Sequence, residues 1–344
     1  MFIKKKILIL KNDRGGDLLN SLKCISSLFC SENSVTILLS QLNIGFSFLF
    51  KKAKIIKTNY DLNFFNKLQI FFLLFKESFS EVYILSPKKY YYYLAVIFKQ
   101  TKFFAITVDG EKRLRPSLKI RKFLFKYRTI NRKKINIKSS SELQLELIEN
   151  NKIDNNYKNI TRPTQDNFIL KNLPLNFLFI QYKNSFYSKI NMSGEKFFLL
   201  TNSLKGRYKN IVFCSDIEET NSNKIFYNIC NVIDFKERKI YLKDENPNIF
   251  YLHAINVQDL FSVVEKAEMI LSPHGLITHI SNFYKKKSLS LFNFEINNSK
   301  DLKHQKIAFS EWYKNMNLHF LFLNNNIDRS LNKIIKIYEN MSFR

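Results

Sequence analysis

The chain alternates short apolar runs with longer segments of helical periodicity. Residues 6–10 read KILIL, a pattern typical of a strand buried in a parallel sheet, and a polar loop follows at 11–16. Residues 17–30 then place apolar side chains on one helical face. Further strands and helices are predicted in turn at 34–39, 44–50, 54–57, 62–76, 81–86, 90–98 and 102–108. This alternation predicts right-handed βαβ units around a parallel sheet.

The second half repeats the alternation after a segment rich in Asn, Asp, Thr and Pro at 150–176, which we interpret as a linker. Strands are predicted at 177–181, 210–214, 249–252, 268–272 and 288–292, and helices at 193–204, 220–232, 257–267 and 277–284. We therefore expect an α/β protein with domains at 1–165 and 175–325. Residues 326–344 should form a C-terminal helix that packs back on the first domain.

The charge is strongly basic, with 55 Lys and Arg against 29 Asp and Glu, a net of +26. Residues 112–138 contain twelve basic residues and no acidic one. Such a stretch attracts nucleic acid, anionic lipid or a phosphorylated glycan. AT-rich codon usage explains part of the lysine content but less of this clustering. Because no nucleic-acid-binding motif is recognised, we expect no nucleic-acid partner.

The four cysteines indicate a reduced, cytosolic protein with structural thiols. Cys24, Cys30, Cys214 and Cys230 form no CxxC pair. The apolar run near the N-terminus is too short for a signal peptide. The longest apolar stretch, at 70–75, is far below the roughly 20 residues that span a bilayer.

The first candidate site is the loop in KNDRGGDLL, between the first predicted strand and helix. Gly15 and Gly16 permit a sharp turn, and the helix N-terminus offers free N–H groups to an anion. The spacing matches neither the dinucleotide fingerprint nor the Walker A loop. Asp17 is either a carboxylate that caps the helix or a general base that takes a proton from a hydroxyl, and Asp13 has a similar capping alternative.

The second candidate site is SPHGLITHIS, at the carboxyl end of a predicted strand, where ligands bind in open α/β sheets. Thr278, His279 and the helix N–H groups could hold a pyrophosphate. His274 and His279 lack an obvious third ligand, so we expect no metal; surface or capping histidines are the alternative. In SDIEE, Glu218 could accept hydrogen bonds from a ribose or simply begin the next helix.

These segments, in this order, resemble glycosyltransferase family 9, the ADP-heptose:lipopolysaccharide heptosyltransferases. The segments are KKKILILKNDRGGDLLNSLKCI and VQDLFSVVEKAEMILSPHGLITHISNFYKKKSLSLF. The similarity is strongest over 1–40 and 177–295. The resemblance implies the GT-B fold, in which two Rossmann-like domains with parallel sheets face a central cleft. It also implies an acceptor on the first domain and a nucleotide-sugar on the second.

On the acceptor side, Asp17 resembles the family's catalytic base, which activates the acceptor hydroxyl. Lys11, Asp13, Gly15 and Gly16 resemble the acceptor-side loop around that base.

On the donor side, Lys189 resembles a lysine that binds the donor phosphate, with Lys183 as the competing assignment, and Glu218 resembles the carboxylate that holds the ribose. The donor phosphate loop is resembled by His274, Gly275, Thr278 and His279. One departure lies here: Pro273-His274-Gly275 replaces the family's Asp-Thr-Gly, and the spacing from glycine to histidine is one residue longer.

The resemblance implies an inverting, metal-independent glycosyltransferase that uses no cofactor. It would move heptose or a related sugar from a nucleoside-diphosphate donor to a lipopolysaccharide-core or other phosphorylated or lipid-linked surface glycan. The basic N-terminal domain would face that acceptor and an anionic membrane, which implies a cytoplasmic protein attached peripherally to the inner face of the cytoplasmic membrane. The alternatives are a catalytically inactive GT-B-like binding protein and a basic nucleic-acid-binding protein.

Overall fold

The computed structural model describes two compact units of the chain. The described residues are 5–29, 33–109, 116–131, 138–148, 153–154, 157–164, 167–204, 208–215, 226–293, 318–323 and 332–336. Those up to Arg162 belong to the first unit, and those from Pro163 onward belong to the second.

The first unit is built on a six-stranded parallel sheet. Its strands are β1 (Lys5–Leu10), β2 (Asn33–Ser40), β3 (Lys54–Thr58), β4 (Glu81–Ile84), β5 (Lys102–Asp109) and β6 (Lys126–Asn131). They lie in the order β3-β2-β1-β4-β5-β6, with every pair parallel. This is the Rossmann order, in which the order of the strands reverses between β1 and β4 and leaves a crevice at their carboxyl ends.

Helices cover this sheet. They are α1 (Gly15–Asn20), α2 (Leu22–Leu28), a 3-10 helix (Ile44–Phe50), α3 (Phe64–Glu77), α4 (Lys89–Ile97), α5 (Leu118–Arg121) and α6 (Ser140–Leu145). One core cluster contains Leu8 and Val82 of the sheet together with Ile70 of α3, Tyr92 of α4 and Ile120 of α5. These three helices therefore pack on the same face of the sheet.

The second unit is built on an eight-stranded sheet. Its strands are β7 (Phe177–Gln181), β8 (Asn210–Cys214), β9 (Asn231–Asp234), β10 (Lys239–Tyr241), β11 (Ile249–His253), β12 (Met269–Pro273), β13 (Lys287–Asn293) and β14 (Leu318–Leu323). They lie in the order β10-β9-β11-β8-β7-β12-β13-β14. Only β10 runs antiparallel among the described pairings. The order of the strands reverses between the parallel neighbours β7 and β12.

The helices of the second unit enclose an aromatic core. They are α7 (Asn167–Asn172), α8 (Asn184–Tyr187), a 3-10 turn (Ser188–Ile190), α9 (Gly194–Leu204), α10 (Val257–Lys266) and α11 (Leu276–Phe283). The stacked rings of Tyr182 and Tyr187 lie 5.5 Å apart, and both contact Phe197. The predicted α/β class with two largely parallel sheets is confirmed.

Several elements differ from the sequence pattern. The predicted helix 17–30 divides at Ser21, whose hydroxyl donates to the carbonyl of Asp17 at 3.1 Å and so competes with the helical ladder. Strands β6, β9, β10 and β14 were not predicted. Every residue of β6 is half-buried and every residue of β10 is exposed, so neither carries the apolar run of a central strand.

The C-terminal segment also differs from expectation where it is described. Residues 332–336 are helical, and Ile334 is fully buried in the core of the second unit. The apolar side chain of this turn thus contributes to the second core, and the predicted packing of residues 326–344 on the first domain stays a prediction.

The remaining bulk expectations concern thiols and membrane spans. Cys24, Cys214 and Cys230 are free and buried, while Cys30 lies outside the described residues. Within the described chain, no helix is both long and apolar enough to cross a bilayer.

Gly15 is required by packing. A Cβ added there would lie 2.5 Å from Cε2 and 2.7 Å from Cζ of the buried Phe46 ring. We expect Gly15→Ala to lower the free energy of unfolding by about 1–3 kcal/mol, because overpacking forces neighbouring groups to move. Urea unfolding measures this change.

The control is a double-mutant cycle with Phe46→Leu, which removes both clashing ring atoms. In that background Gly15→Ala should cost at least about 0.5 kcal/mol less. Equal costs in the two backgrounds would contradict the proposed contact.

Candidate functional site

The first site is a cavity of about 300 Å³ at the carboxyl ends of β1, β4 and β5. Its lining includes Lys11, Asp13, Asp17, Ser86, Lys88 and Gln144. The cavity lies where the order of the strands reverses between β1 and β4, and where the loops that follow these two strands diverge. The sequence placed Lys11, Asp13 and Asp17 here, and the structure brings these three together.

Lys11 carries a buried positive charge in this cavity. Its side chain is 2% exposed, and its ammonium group donates to Asp13 Oδ2 at 2.7 Å. The carbonyl of Lys11 accepts a hydrogen bond of 2.8 Å from Asn43 Nδ2. The neighbouring Asn12 accepts one of 2.8 Å from Tyr91 Oη. The loop after β1 is therefore fixed from both sides.

Asp17 stands on the first turn of α1, at the edge of the cavity. Its side chain is exposed, yet the surrounding protein partly desolvates it, and this raises the pKa of its carboxyl group; Lys11 and Arg14 oppose the rise. No capping hydrogen bond from a side chain is found at the start of α1. A carboxyl group with a raised pKa at a cavity mouth is suited to proton transfer.

Three buried polar atoms of this cavity have no partner within the protein. They are Asp13 Oδ1, Ser86 Oγ and Gln144 Oε1. Buried polar groups are nearly always hydrogen-bonded. Three unpartnered polar atoms in residues that line one cavity therefore indicate a place for polar groups of a ligand or for water. The cluster can accept hydrogen bonds from hydroxyl groups.

Sequence reasoning missed Ser86, Lys88 and Gln144. Ser86 and Lys88 follow β4, which is the neighbour of β1, so the sheet order alone would have found them. Gln144 is brought in by α6, whose start is fixed by a capping box between Ser139 and Glu142. Lys88 donates to the carbonyl of Tyr60, and burial lowers its pKa.

The glycines of the first loop serve different ends. Gly15 is needed for the contact with Phe46 described above. Gly16 is half-buried within α1 and does not line the cavity.

The second site is the loop between β12 and α11. The backbone N–H of His274 donates to the carbonyl of Leu291 at 2.8 Å, and the imidazole ring stacks on the ring of Phe292 with the ring centres 4.3 Å apart. Its Nδ1 lies 3.3 Å from Ser290 Oγ. The His279 ring lies 6.2 Å from the His274 ring. The structure therefore brings both histidines to one loop, as the sequence predicts.

His274 is neutral at neutral pH in the unliganded protein. Burial is the main cause that lowers its pKa to about 4, and the positive charge of Lys183 contributes. This loop is the one expected to hold the donor phosphate. His274 carries no positive charge by itself, although a bound anion would raise its pKa.

Thr278 supports the loop from inside. It is 1% exposed, and its hydroxyl lies 2.9 Å from Ser290 Oγ and accepts a hydrogen bond of 3.3 Å from the Gly275 N–H. Its oxygen is thus engaged within the loop. A Cβ added at Gly275 would meet no atom within 4 Å, so the space beside this backbone is open.

The two lysine assignments differ in position. Lys183 follows β7, the strand that pairs with β12, and acts electrostatically on His274. Lys189 lies in the 3-10 turn beyond α8 and is exposed. The geometry favours Lys183 as a member of the site. Glu218 lies outside the described residues.

No cluster of three or more His, Cys, Asp or Glu side chains able to hold a metal ion exists among the residues that the structure describes.

The whole chain resembles solved structures of sugar-nucleotide enzymes. "ADP-heptose lps heptosyltransferase II" from E. coli covers 98% of this chain and 98% of its own, with a TM-score of 0.64 at 10% identity. The E. coli heptosyltransferase WaaC, solved with ADP-2-deoxy-2-fluoro heptose, covers 97% and 99%, with a TM-score of 0.62 at 10% identity. The chain has the GT-B fold.

The same GT-B fold also occurs in a protein with a different named reaction. UDP-GlcNAc 2-epimerase from Methanocaldococcus jannaschii covers 96% of this chain and 92% of its own, with a TM-score of 0.54 at 13% identity. No protein-family model and no curated protein matches the sequence. Similarity at this identity establishes the GT-B fold and leaves the reaction to be argued from the sites.

Within the GT-B chain, the two sites occupy equivalent places. Each lies at the carboxyl ends of the two strands between which its sheet reverses, β1 and β4 in one unit and β7 and β12 in the other. The first site is built around charged groups, and the second around a neutral imidazole beside a lysine.

The depressed pKa of His274 predicts a pH-dependent stability. The unfolded chain takes up a proton near pH 6.5 and the folded chain only near pH 4, so folding is favoured above this window and loses free energy as the pH falls through it. We expect a loss of roughly 3 kcal/mol between the two pH values, measured by urea unfolding of the second unit.

His274→Gln should remove most of this loss, because it cannot be protonated. His279→Gln, on the same loop, leaves His274 in place and should keep the loss. Parallel pH profiles for the wild-type protein and His274→Gln would contradict this assignment.

Proposed function

We propose that the protein is an inverting glycosyltransferase that moves a sugar from a nucleoside-diphosphate donor to a hydroxyl of a glycan acceptor. The observation that carries the proposal is Asp17, whose carboxyl group has a raised pKa and stands beside a cavity with three unpartnered polar atoms. The similarity to heptosyltransferases supports heptose or a related sugar as the transferred group, and a surface glycan such as a lipopolysaccharide core as the acceptor.

The acceptor would enter the cavity of the first unit. Its volume of about 300 Å³ is at the small end of ligand pockets, which suits one sugar ring rather than a whole nucleotide. Acceptor hydroxyls would donate to Ser86, Gln144 and the free oxygen of Asp13. An epimerisation converts one sugar nucleotide into another and needs no acceptor, so this separate polar cavity favours transfer.

In the reaction, Asp17 takes the proton of the acceptor hydroxyl as that oxygen attacks the anomeric carbon of the donor. The bond from the anomeric carbon to the diphosphate oxygen breaks, and the configuration at that carbon inverts. The buried charge of Lys11 favours the ionised form of Asp17, which is the form that acts as a base.

The donor diphosphate would lie against the loop after β12. Lys183 and the free N–H groups at the start of α11 would stabilise the negative charge that grows on the leaving group. His274 would contribute a hydrogen bond, and a positive charge only once an anion raises its pKa.

Asp17→Asn tests the role of the base. We expect transfer to fall by about 10²–10⁴-fold, because an amide cannot accept the proton, while nucleotide affinity stays unchanged. The raised pKa of Asp17 places the acid limb of the wild-type kcat/KM profile above the usual range of an aspartate, and the variant should lack that limb.

Asp61→Asn is the matched control, since Asp61 lines the same cavity and has no assigned proton transfer. Its transfer rate should stay within a few-fold of the wild-type rate. Undiminished transfer by Asp17→Asn would remove the proposed base.

Lys183→Ala and Lys189→Ala test the donor assignment as a pair. Thermal shifts with ADP, UDP, GDP and CMP should identify one preferred nucleotide. We expect Lys183→Ala to weaken that nucleotide about tenfold or more, because a charge-assisted contact is lost, and Lys189→Ala to leave it nearly unchanged. The opposite ranking would assign the donor phosphate to Lys189.

A further inference from the structure

The outer surface of α3 carries an exposed aromatic stripe. Phe64, Leu68, Phe72 and Phe75 follow one another at intervals of four, four and three residues, so they share one helical face with the adjacent Phe65. Phe65 is 76% exposed and Phe75 is 68% exposed. The opposite face of the same helix buries Ile70 and Leu74 in the core. The helix therefore has two apolar sides. One packs into the core of the first unit, and the other is exposed.

The stripe continues onto the neighbouring helices. Tyr93 and Ile97 of α4 and Leu118 of α5 are exposed, as is Phe123 just after α5. Because α3, α4 and α5 pack on the same face of the sheet, these side chains lie on one side of the first unit. A run of bulky apolar groups this extensive is unusual on a free surface and marks an interaction site.

Positive charge accompanies the apolar groups. The ammonium groups of Lys89 and Lys99 lie 5.7 and 5.6 Å from the ring centres of Tyr93 and Phe123. Lys67, Lys76, Lys119 and Lys122 are also exposed on these elements. Among the described residues from 88 to 131, Asp109 is the only acidic residue, and it ends β5. The surface therefore complements an anionic partner.

We propose that this face of α3, α4 and α5 docks on an anionic lipid bilayer. Exposed Phe and Leu interleaved with lysines is the composition of surfaces that lie in the lipid headgroup region, with aromatic rings in the acyl boundary and ammonium groups on the lipid phosphates. The stripe begins three residues after Asp61, which lines the cavity of the first unit. Docking would hold that cavity near the membrane; this consequence alone rests on the proposed function.

Vesicle co-sedimentation of the full chain tests the docking without any assay of activity. We expect binding to phosphatidylcholine vesicles containing about 30 mol% phosphatidylglycerol, weakened by salt, and little binding to phosphatidylcholine alone. The variant Phe65→Ser/Phe72→Ser/Phe75→Ser should bind the anionic vesicles with an affinity lower by about tenfold or more, because the inserting groups are lost.

The matched control removes three leucines of similar exposure from the second unit, as Leu175→Ser/Leu199→Ser/Leu242→Ser. These residues are 83%, 63% and 72% exposed. This variant should bind as the wild-type protein does. Since both variants alter only exposed side chains, loss of folding does not confuse the comparison, and thermal unfolding checks this.

Insertion has its own readout in Phe72→Trp, whose fluorescence should shift to the blue on anionic vesicles and be quenched by brominated lipid. The parent protein, with its single tryptophan, gives the background. Unchanged vesicle binding by the triple phenylalanine variant would overturn the proposal. The proposal would also be overturned if the wild-type protein were a dimer and this variant a monomer with unaltered vesicle binding. The face would then join two copies of the chain.

Discussion

Lys11 leaves the end of β1 with its ammonium group buried, and the first site is arranged around that charge. A buried cation is tolerated only with a close partner, which Asp13 supplies at 2.7 Å. Removing one member of such a pair costs about 3–5 kcal/mol, so the pair fixes the loop. Asp13 then turns its second oxygen into the cavity, and the field of Lys11 favours the ionised form of Asp17. One buried charge thus links the strand, the loop and the proposed base.

The second site differs from the first because the partly buried side chain in its loop, His274, carries no permanent charge. The ring of His274 stacks on Phe292, and its backbone N–H donates to the carbonyl of Leu291. Burial and the charge of Lys183 keep the imidazole neutral. A neutral imidazole beside a lysine is poised to gain a proton when an anion arrives.

Much of the fold could be predicted from the sequence, because buried parallel strands are continuous apolar runs and the loops after them are polar. Runs such as KILIL and EMILS marked β1 and β12, and with them the loops of Asp17 and His274. Edge strands such as β6 carry no such signal. Gln144 could not be predicted, since it reaches the cavity only through the packing of α6 against α2 and β6. The choice between Lys183 and Lys189 likewise needed strand pairing, which the sequence does not contain.

The proposed glycosyltransferase moves a sugar from a nucleotide to a second substrate. Proton NMR of a sugar nucleotide, followed with and without a surface-glycan acceptor, tests this transfer most directly. We expect release of the nucleoside diphosphate that depends on the acceptor, together with a new glycoside of inverted anomeric configuration. Conversion of the sugar nucleotide into its epimer in the absence of any acceptor would contradict the proposed transfer.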